Sequence, residues 1–278
     1  MNGVNRNVDA IGVFDSGVGG LSVLRALLTE LPHERFVYLA DQGHAPYGER
    51  EDSHIIQRAS AITRYLTAQH RVKAMVVACN TATAAAIHLM REAHPEIPIV
   101  GIEPALKPAV ALSTTHRIGV MATRGTLQSE KFRSLLEGLS AQAVFVLQPC
   151  DGLADAIERD DAIQIGAICA QSTSVMGTFD SQPDQIDTLV LGCTHYPFAS
   201  DILRSLVGDA VHLLEGGAPV ARQTRRVLEQ RGWLAPAPVA HTAPPPPLVI
   251  GSTGRTDALQ SAAKRWLGLD CTVASWDV

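Results

Sequence analysis

Short apolar runs rich in Val and Ile alternate along the chain with segments whose apolar residues recur every third or fourth position. The runs Ala10–Phe14, Phe36–Ala40, Val72–Ala78, Pro98–Ile102, Ile118–Ala122, Ala143–Leu147, Thr188–Leu191, Val211–Leu214 and Leu248–Gly251 are predicted strands, with helical pattern between most of them. The first helix is expected to bury Leu21, Leu24, Leu28 and Leu31 on one face. Strand and helix in alternation predict parallel sheets covered by helices, an α/β fold.

The chain also resembles itself. Ile11-Gly12-Val13 followed by Asp15-Ser16 recurs as Ile118-Gly119-Val120 followed by Ala122-Thr123, an offset of 107 residues from Ile11 to Ile118. The strand ending Val77-Ala78-Cys79-Asn80-Thr81 is echoed by Leu191-Gly192-Cys193-Thr194-His195, 114 residues on from Cys79 to Cys193. Similar offsets and matched strand-end positions indicate a duplicated half. In open α/β sheets ligands bind beyond the carboxyl ends of the strands, where both cysteines fall. The expected architecture is therefore two pseudo-symmetric parallel-sheet domains, residues 1–102 plus 215–278 and residues 103–214, with the active site in the cleft between them. Ala235–Pro247, rich in Pro, is read as an extended spacer before the last predicted strand.

Composition narrows the partners. The 278 residues are 46% hydrophobic and 18% charged, enough for substantial cores, and the net charge of -5 with scattered Lys and Arg offers no footprint for nucleic acid. The polar start Met1–Ala10 lacks the apolar core of a signal peptide, and no apolar stretch reaches the roughly 20 residues of a membrane span, so a cytoplasmic protein with no membrane partner is expected. Five cysteines, Cys79, Cys150, Cys169, Cys193 and Cys271, form no C-x-x-C pair and suggest neither disulfides nor a metal site.

Several residues carry candidate chemistry. Asp15-Ser16-Gly17-Val18-Gly19-Gly20 lies between strand and helix, where glycines admit a ligand to the backbone and helix N–H groups attract anions; a phosphate loop is one option, but the run departs from G-x-G-x-x-G at Ser22 and no G-K-[ST] occurs, which disfavours a nucleotide, and the alternative is a plain helix cap by Asp15 or Ser16. Cys150, Cys169 and Cys271 read as buried small hydrophobes. Cys79 and Cys193 differ: each ends a strand before polar residues and a helix, with Asn80 and Thr81 as candidate caps and Pro197 suited to a first helical turn. A helix N-terminus favours the thiolate that a thiol base requires. His195 can tune Cys193 or shuttle its proton, or be a hydrogen-bonded structural histidine. Asp41 follows a strand, and Pro46-Tyr47-Gly48 reads as a turn. Glu158 sits in the run Glu158-Arg159-Asp160-Asp161, whose default reading is a solvated helix face.

Phe14-Asp15-Ser16-Gly17-Val18-Gly19-Gly20, Asp41 with Pro46-Tyr47-Gly48, Ala78-Cys79-Asn80-Thr81-Ala82, Gly101-Ile102-Glu103-Pro104-Ala105, Gly119-Val120 with Ala122-Thr123, and Gly192-Cys193-Thr194-His195-Tyr196-Pro197 stand in the order found in glutamate racemases, and from about Ile11 to Ser252 the chain resembles that family. The resemblance implies that Cys79 and Cys193 are the two acid/base residues, Cys79 facing D-glutamate and Cys193 facing L-glutamate. It implies substrate binding by Asp15, Ser16, Tyr47, Gly48, Asn80, Thr81, Thr123, Thr194 and His195, with Asp15 and His195 also helping proton transfer and Asp41 and Glu158 nearby. No cofactor and no metal is implied, the partner is glutamate, the usual assembly is a homodimer, and the product D-glutamate serves bacterial wall synthesis. Asp151 departs from the family, which usually has Pro there.

Racemisation needs a base on one face of the α-carbon and an acid on the other, so two thiols on a duplicated scaffold suit it. None of Lys73, Lys107, Lys131 and Lys264 lies at a strand-end motif where a pyridoxal Schiff base is expected. The competing expectations are an aspartate or hydantoin racemase, a two-domain protein that binds an acidic ligand without turnover, and a thiol oxidoreductase, which the lack of C-x-x-C disfavours.

Overall fold

The computed structural model describes residues 6–237 and 248–278. The first five residues of the polar start and most of the Pro-rich spacer, residues 238–247, lie outside the described residues. In chain order the elements are β1 (Ile11–Asp15), α1 (Leu21–Glu30), β2 (Phe36–Ala40), α2 (Asp52–His70), β3 (Ala74–Val77), α3 (Asn80–Ala93) and β4 (Ile99–Gly101). They continue with α4 (Leu106–Leu112), β5 (Arg117–Ala122), α5 (Arg124–Gln128), α6 (Glu130–Glu137), β6 (Val144–Pro149), α7 (Leu153–Glu158), α8 (Ala162–Met176), β7 (Thr188–Leu191), α9 (Ser200–Val207) and β8 (His212–Glu215). The last are α10 (Gly217–Arg231), β9 (Leu248–Ser252), α11 (Thr256–Leu267) and β10 (Val273–Ser275).

The chain divides into two compact units, residues 1–102 with 217–278 and residues 103–216. Each holds one wholly parallel sheet, six strands in the order β10-β9-β2-β1-β3-β4 in the first and four in the order β6-β5-β7-β8 in the second. The α/β class follows directly. The duplication is visible in the pairing: β1 lies between β2 and β3 as β5 lies between β6 and β7, and β4 and β8 close the same side. The first unit extends that pattern with β9 and β10, strands drawn from the far end of the sequence.

Strands β1, β2, β3 and β7 are buried at every residue, as expected of parallel strands covered on both faces. In the first unit Phe14, Leu39, Met75 and Val77 pack with Ile55, Ile62 and Leu66 of α2 and with Ala82, Ala86 and Met90 of α3. In the second, Ile118, Val120 and Val190 pack with Leu106, Ala109 and Phe132. Each fully buried Leu or Ile contributes about 1.5–3 kcal/mol, so these interfaces dominate the folding energy. Two details differ from the sequence expectation. Leu27, rather than Leu28, belongs to the buried face of α1, because Leu28 falls on its flank. The strand β10 has no counterpart among the predicted runs; it is three residues long and sits at the sheet edge.

Two buried carboxylates tie the sheet edges away from the cysteines. Glu34 pairs with Lys73 at 2.6 Å, and the Lys73 ammonium also donates to the main-chain oxygens of Asn7 and Trp233. In the second unit Asp187, just before β7, accepts from the Ser113 hydroxyl (2.6 Å), the Thr114 N–H (2.6 Å), the Thr115 N–H (2.9 Å) and the Thr188 hydroxyl (3.0 Å). Burial opposes its charge, but the Ser113 hydroxyl and the Thr115 and Thr114 N–H groups outweigh it and hold the pKa below the usual aspartate value. A carboxylate with a depressed folded pKa stabilises the fold above its unfolded pKa and ceases to do so as pH falls through the folded one. Asp187→Asn is therefore expected to cost about 1.5–3 kcal/mol in urea unfolding at neutral pH. The gap from the parent should narrow below about pH 4, whereas equal midpoints at neutral pH would deny the clamp any stabilising role.

Candidate active site

In the first unit the parallel register brings three polar residues to one sheet edge. Asp15 is the last residue of β1, Asp41 follows β2, and Cys79 follows β3. Asp15 pairs with Ala40, and Phe14 with Val77. The ladder runs on for one further bond on each side, from the Asp41 N–H to the Asp15 carbonyl (2.9 Å) and from the Ala78 N–H to the Phe14 carbonyl (2.8 Å).

Cys79 is itself the N-cap of α3, in place of the expected Asn80 or Thr81. Its sulfur accepts from the Ala82 N–H at 3.4 Å, and its thiol lies 3.8 Å from the Ser16 hydroxyl oxygen. Asn80 and Thr81 instead form the first turn, nearly buried, and the Asn80 side-chain oxygen has no hydrogen-bond partner.

The glycine-rich loop is held from both sides. Asp15 accepts from the Gly17 N–H at 2.9 Å, and the buried Tyr38 hydroxyl donates to the Gly17 carbonyl at 2.7 Å. Neither Asp15 nor Ser16 caps α1; its N-cap is Gly20, without a side-chain bond. A Cβ at Gly20 would stand 2.5 Å from Asp15 Cβ and 2.7 Å from the Tyr38 oxygen, so this position admits only glycine.

Asp41 is fully buried and its carboxylate accepts from Arg58, from the Tyr47 hydroxyl (2.5 Å) and from the Thr253 hydroxyl (2.8 Å). Tyr47 begins a single turn of 3₁₀ helix, Tyr47–Glu49, after a cis Ala45–Pro46 peptide. Its side chain shares a buried cluster with Cys79.

The second unit repeats the scaffold with other chemistry. Thr123 follows β5, Cys150 follows β6, and Cys193 follows β7 after Gly192. The Gly192 N–H donates to the Met121 carbonyl at 2.7 Å, and a Cβ there would meet Ala122 Cβ at 2.9 Å, which explains the glycine. Cys193 Sγ lies 3.6 Å from Nδ1 of His195, whose Nε2 lies 2.6 Å from a Glu158 oxygen. Burial opposes a charge on His195, yet its bonds to Cys193 and Glu158 raise its pKa well above the ordinary value. A histidine held between a carboxylate and a sulfur is placed to exchange a proton with that sulfur.

Glu158 thus leaves its charged run and turns inward, while Arg159, Asp160 and Asp161 stay toward solvent. Thr123 caps α5, its hydroxyl accepting from the Thr126 N–H. Thr194 is buried beside Cys193. Asp151 lies outside the constellation, exposed and paired with Arg124.

The other thiols have different surroundings. Burial pushes Cys150 up to about 12, partly offset by Ser172, and Cys169 up to about 11, so both remain protonated. Among the described residues no group of three or more His, Cys, Asp or Glu is set to hold a metal, and no helix is long and apolar enough to cross a membrane.

Residues 11–224 match the Asp/Glu/Hydantoin racemase family. The chain belongs to that family. It is 48% identical to a glutamate racemase of Ectopseudomonas mendocina over 242 residues, 86% of this chain and 89% of that one. A second, from Methylococcus capsulatus, is 48% identical over 82% of each chain. Among solved structures, the glutamate racemase isoform RacE1 of Bacillus anthracis superposes with a TM-score of 0.84 at 31% identity, covering 98% of both chains. The Escherichia coli glutamate racemase in complex with L-glutamate and the activator UDP-MurNAc-Ala gives 0.79 at 27% identity, over 97% of this chain and 99% of that one.

Two members of the first constellation carried no sequence signal sufficient to single them out. Arg58 lies mid-helix in α2, and Thr253 follows β9, more than two hundred residues from its partner Asp41; only its place at a strand end hinted at it. The Glu158–His195 contact generates a prediction of its own. In Glu158→Gln the His195 pKa should fall toward the ordinary histidine range when followed by nitrogen-detected imidazole NMR, and an unmoved titration would remove Glu158 from the relay. Cys169→Ala should lower the melting temperature, as a cavity in a closed core does, with a cost on the order of 1–2 kcal/mol.

Proposed function

We propose that this chain is a glutamate racemase that interconverts L- and D-glutamate without a cofactor, using Cys79 and Cys193 as its two proton-transfer groups. The observation that carries this is the pair of thiols at equivalent strand ends of a duplicated scaffold, each in contact with a polar partner. Support for glutamate over aspartate or a hydantoin comes from relatives at 48% identity that are glutamate racemases and from the Escherichia coli enzyme's complex with L-glutamate.

The two units act as the two catalytic domains, with the boundary expected at 214/215 lying after β8, at 216/217, and lend one thiol each to opposite faces of the α-carbon. In the L-to-D direction the Cys193 thiolate takes the α-proton: the C–H bond breaks, an S–H bond forms, and the electron pair stays on the substrate's α-carbon and carboxylate. The Cys79 thiol then gives its proton to the opposite face and becomes the thiolate. The reverse direction exchanges the two roles. Carbanion stabilisation falls to donors aimed at the carboxylate, a preorganised polar site acting where solvent is excluded.

Ser16, Tyr47, Gly48, Asn80, Thr81, Thr123 and Thr194 are assigned to the substrate's ammonium and carboxylate groups. Asp15 and His195 both bind and assist proton transfer, and Glu158 assists through His195. The unpartnered oxygen of Asn80 suits the ammonium. The enzyme is placed in the cytoplasm as a homodimer that supplies D-glutamate for peptidoglycan; sedimentation as a monomer at working concentration would remove the dimer.

Cys79→Ala and Cys193→Ala should each abolish racemisation in both directions, a loss of at least about 10²–10⁴-fold. Cys79→Ala should still exchange the α-proton of L-glutamate with deuterium, and Cys193→Ala that of D-glutamate. Full turnover in either variant would end the two-thiol mechanism, and the reverse exchange pattern would swap the assigned faces. Ser16→Ala should chiefly raise KM and Asp15→Asn chiefly lower kcat; unchanged kinetics in both would reduce the loop to scaffolding.

A further inference from the structure

We infer that Arg58 is a positioning residue, gripping the buried Asp41 carboxylate so that Tyr47-Gly48 is fixed beside Cys79. The inference rests on the assignment of Tyr47 and Gly48 to substrate binding.

All four acceptor positions of the Asp41 carboxylate are used from within the chain. One oxygen accepts from Arg58 Nη2 and the Thr253 hydroxyl, each at 2.8 Å; the other accepts from Arg58 Nε at 2.9 Å and the Tyr47 hydroxyl at 2.5 Å. A carboxylate so occupied has no lone pair left for a substrate and none for a proton. Burial opposes its charge, but the Arg58, Tyr47 and Thr253 bonds outweigh that and hold its pKa low, which fits an anchor rather than an acid. Asp41 therefore works through what it holds.

The guanidinium grips from the far side. Its third donor, Nη1, reaches the Val278 main-chain oxygen at 2.6 Å, so Arg58 spans α2, the end of β2 and the segment beyond β10. Thr253, after β9, also accepts from the Gly43 N–H at 3.1 Å, and the Ser252 hydroxyl donates to the Gln42 side chain at 2.9 Å. The loop from Gln42 to Tyr47 is thereby fastened at both ends to a carboxylate that only a planar two-point donor can orient. A lysine would supply the charge without the fork.

The experiment combines kinetics with backbone exchange on the full chain. Arg58→Lys should raise KM for glutamate by about tenfold and up to about a hundredfold, with kcat within about threefold and its pH profile unmoved. Deuterium uptake at residues 42–50 should rise while the rest of the first unit keeps its protection. Tyr47→Phe should raise KM in the same direction, and the double variant should be no worse than the poorer single, because Arg58 acts on the substrate only through Asp41 and the tyrosine it holds. Thr253→Val, which removes one of the four bonds, should show a smaller rise and keeps the test open if Arg58→Lys does not fold. Additive losses, unchanged KM and exchange in a folded Arg58→Lys, or a lower kcat with a displaced pH profile would each overturn the inference, the last by making Asp41 a proton carrier. A parent protein that fails to racemise glutamate would refute the proposed function instead; the exchange measurement would still decide whether Arg58 fixes the loop.

Discussion

A strand buried in a parallel sheet has its faces covered and its backbone groups paired, so it can offer polar chemistry only where it stops. Because the strands are parallel, every carboxyl end lies along one edge, and the helix that follows brings unpaired N–H groups to the same place. That constraint gathers Asp15, Asp41 and Cys79 in one unit and Thr123, Cys150 and Cys193 in the other. The lysine that is fully buried, Lys73, lies at the start of β3 and is committed to Glu34 there.

The duplicated scaffold fixes position and leaves the chemistry free to differ. Cys79 rests on a main-chain N–H of α3 and the Ser16 hydroxyl, a support without formal charge. Cys193 faces an imidazole backed by a carboxylate, a support that carries its own proton. Cys169, by contrast, is buried in the middle of α8, the setting of a thiol that packs. Two unlike supports suit a reaction whose two proton transfers take place on opposite faces of a carbon bearing three different groups.

Much of this was legible in the sequence because it is local. Val- and Ile-rich runs mark the strands, and the Ile-Gly-Val repeat and the two cysteine motifs mark the duplication. What was not legible depends on distance. Asp41 meets Arg58 and Thr253 across α2 and β9, and no local pattern links those three residues. The inward turn of Glu158 is set by His195, a residue on another strand end, while its own neighbours spell a solvated helix. Local capping rules favoured Asn80 and Thr81, but the chain stays extended through Cys79 and turns helical at Asn80, so the cap falls on the cysteine. The edge strand β10 is too short to stand out as an apolar run.

The central claim is that two groups of this chain exchange protons with opposite faces of glutamate, and it is tested most directly by the unaltered protein in deuterium oxide. Purified protein is incubated with L-glutamate and no added cofactor, and α-proton NMR is read alongside optical rotation during the first turnovers. Two-base transfer predicts that the D-glutamate formed carries deuterium at the α-carbon while the remaining L-glutamate is still protonated, because the thiol that delivers the new proton has drawn it from solvent. Equal early exchange in both enantiomers would point to a single shared base, and unchanged rotation with no exchange would contradict the assignment of this chain as a racemase of glutamate.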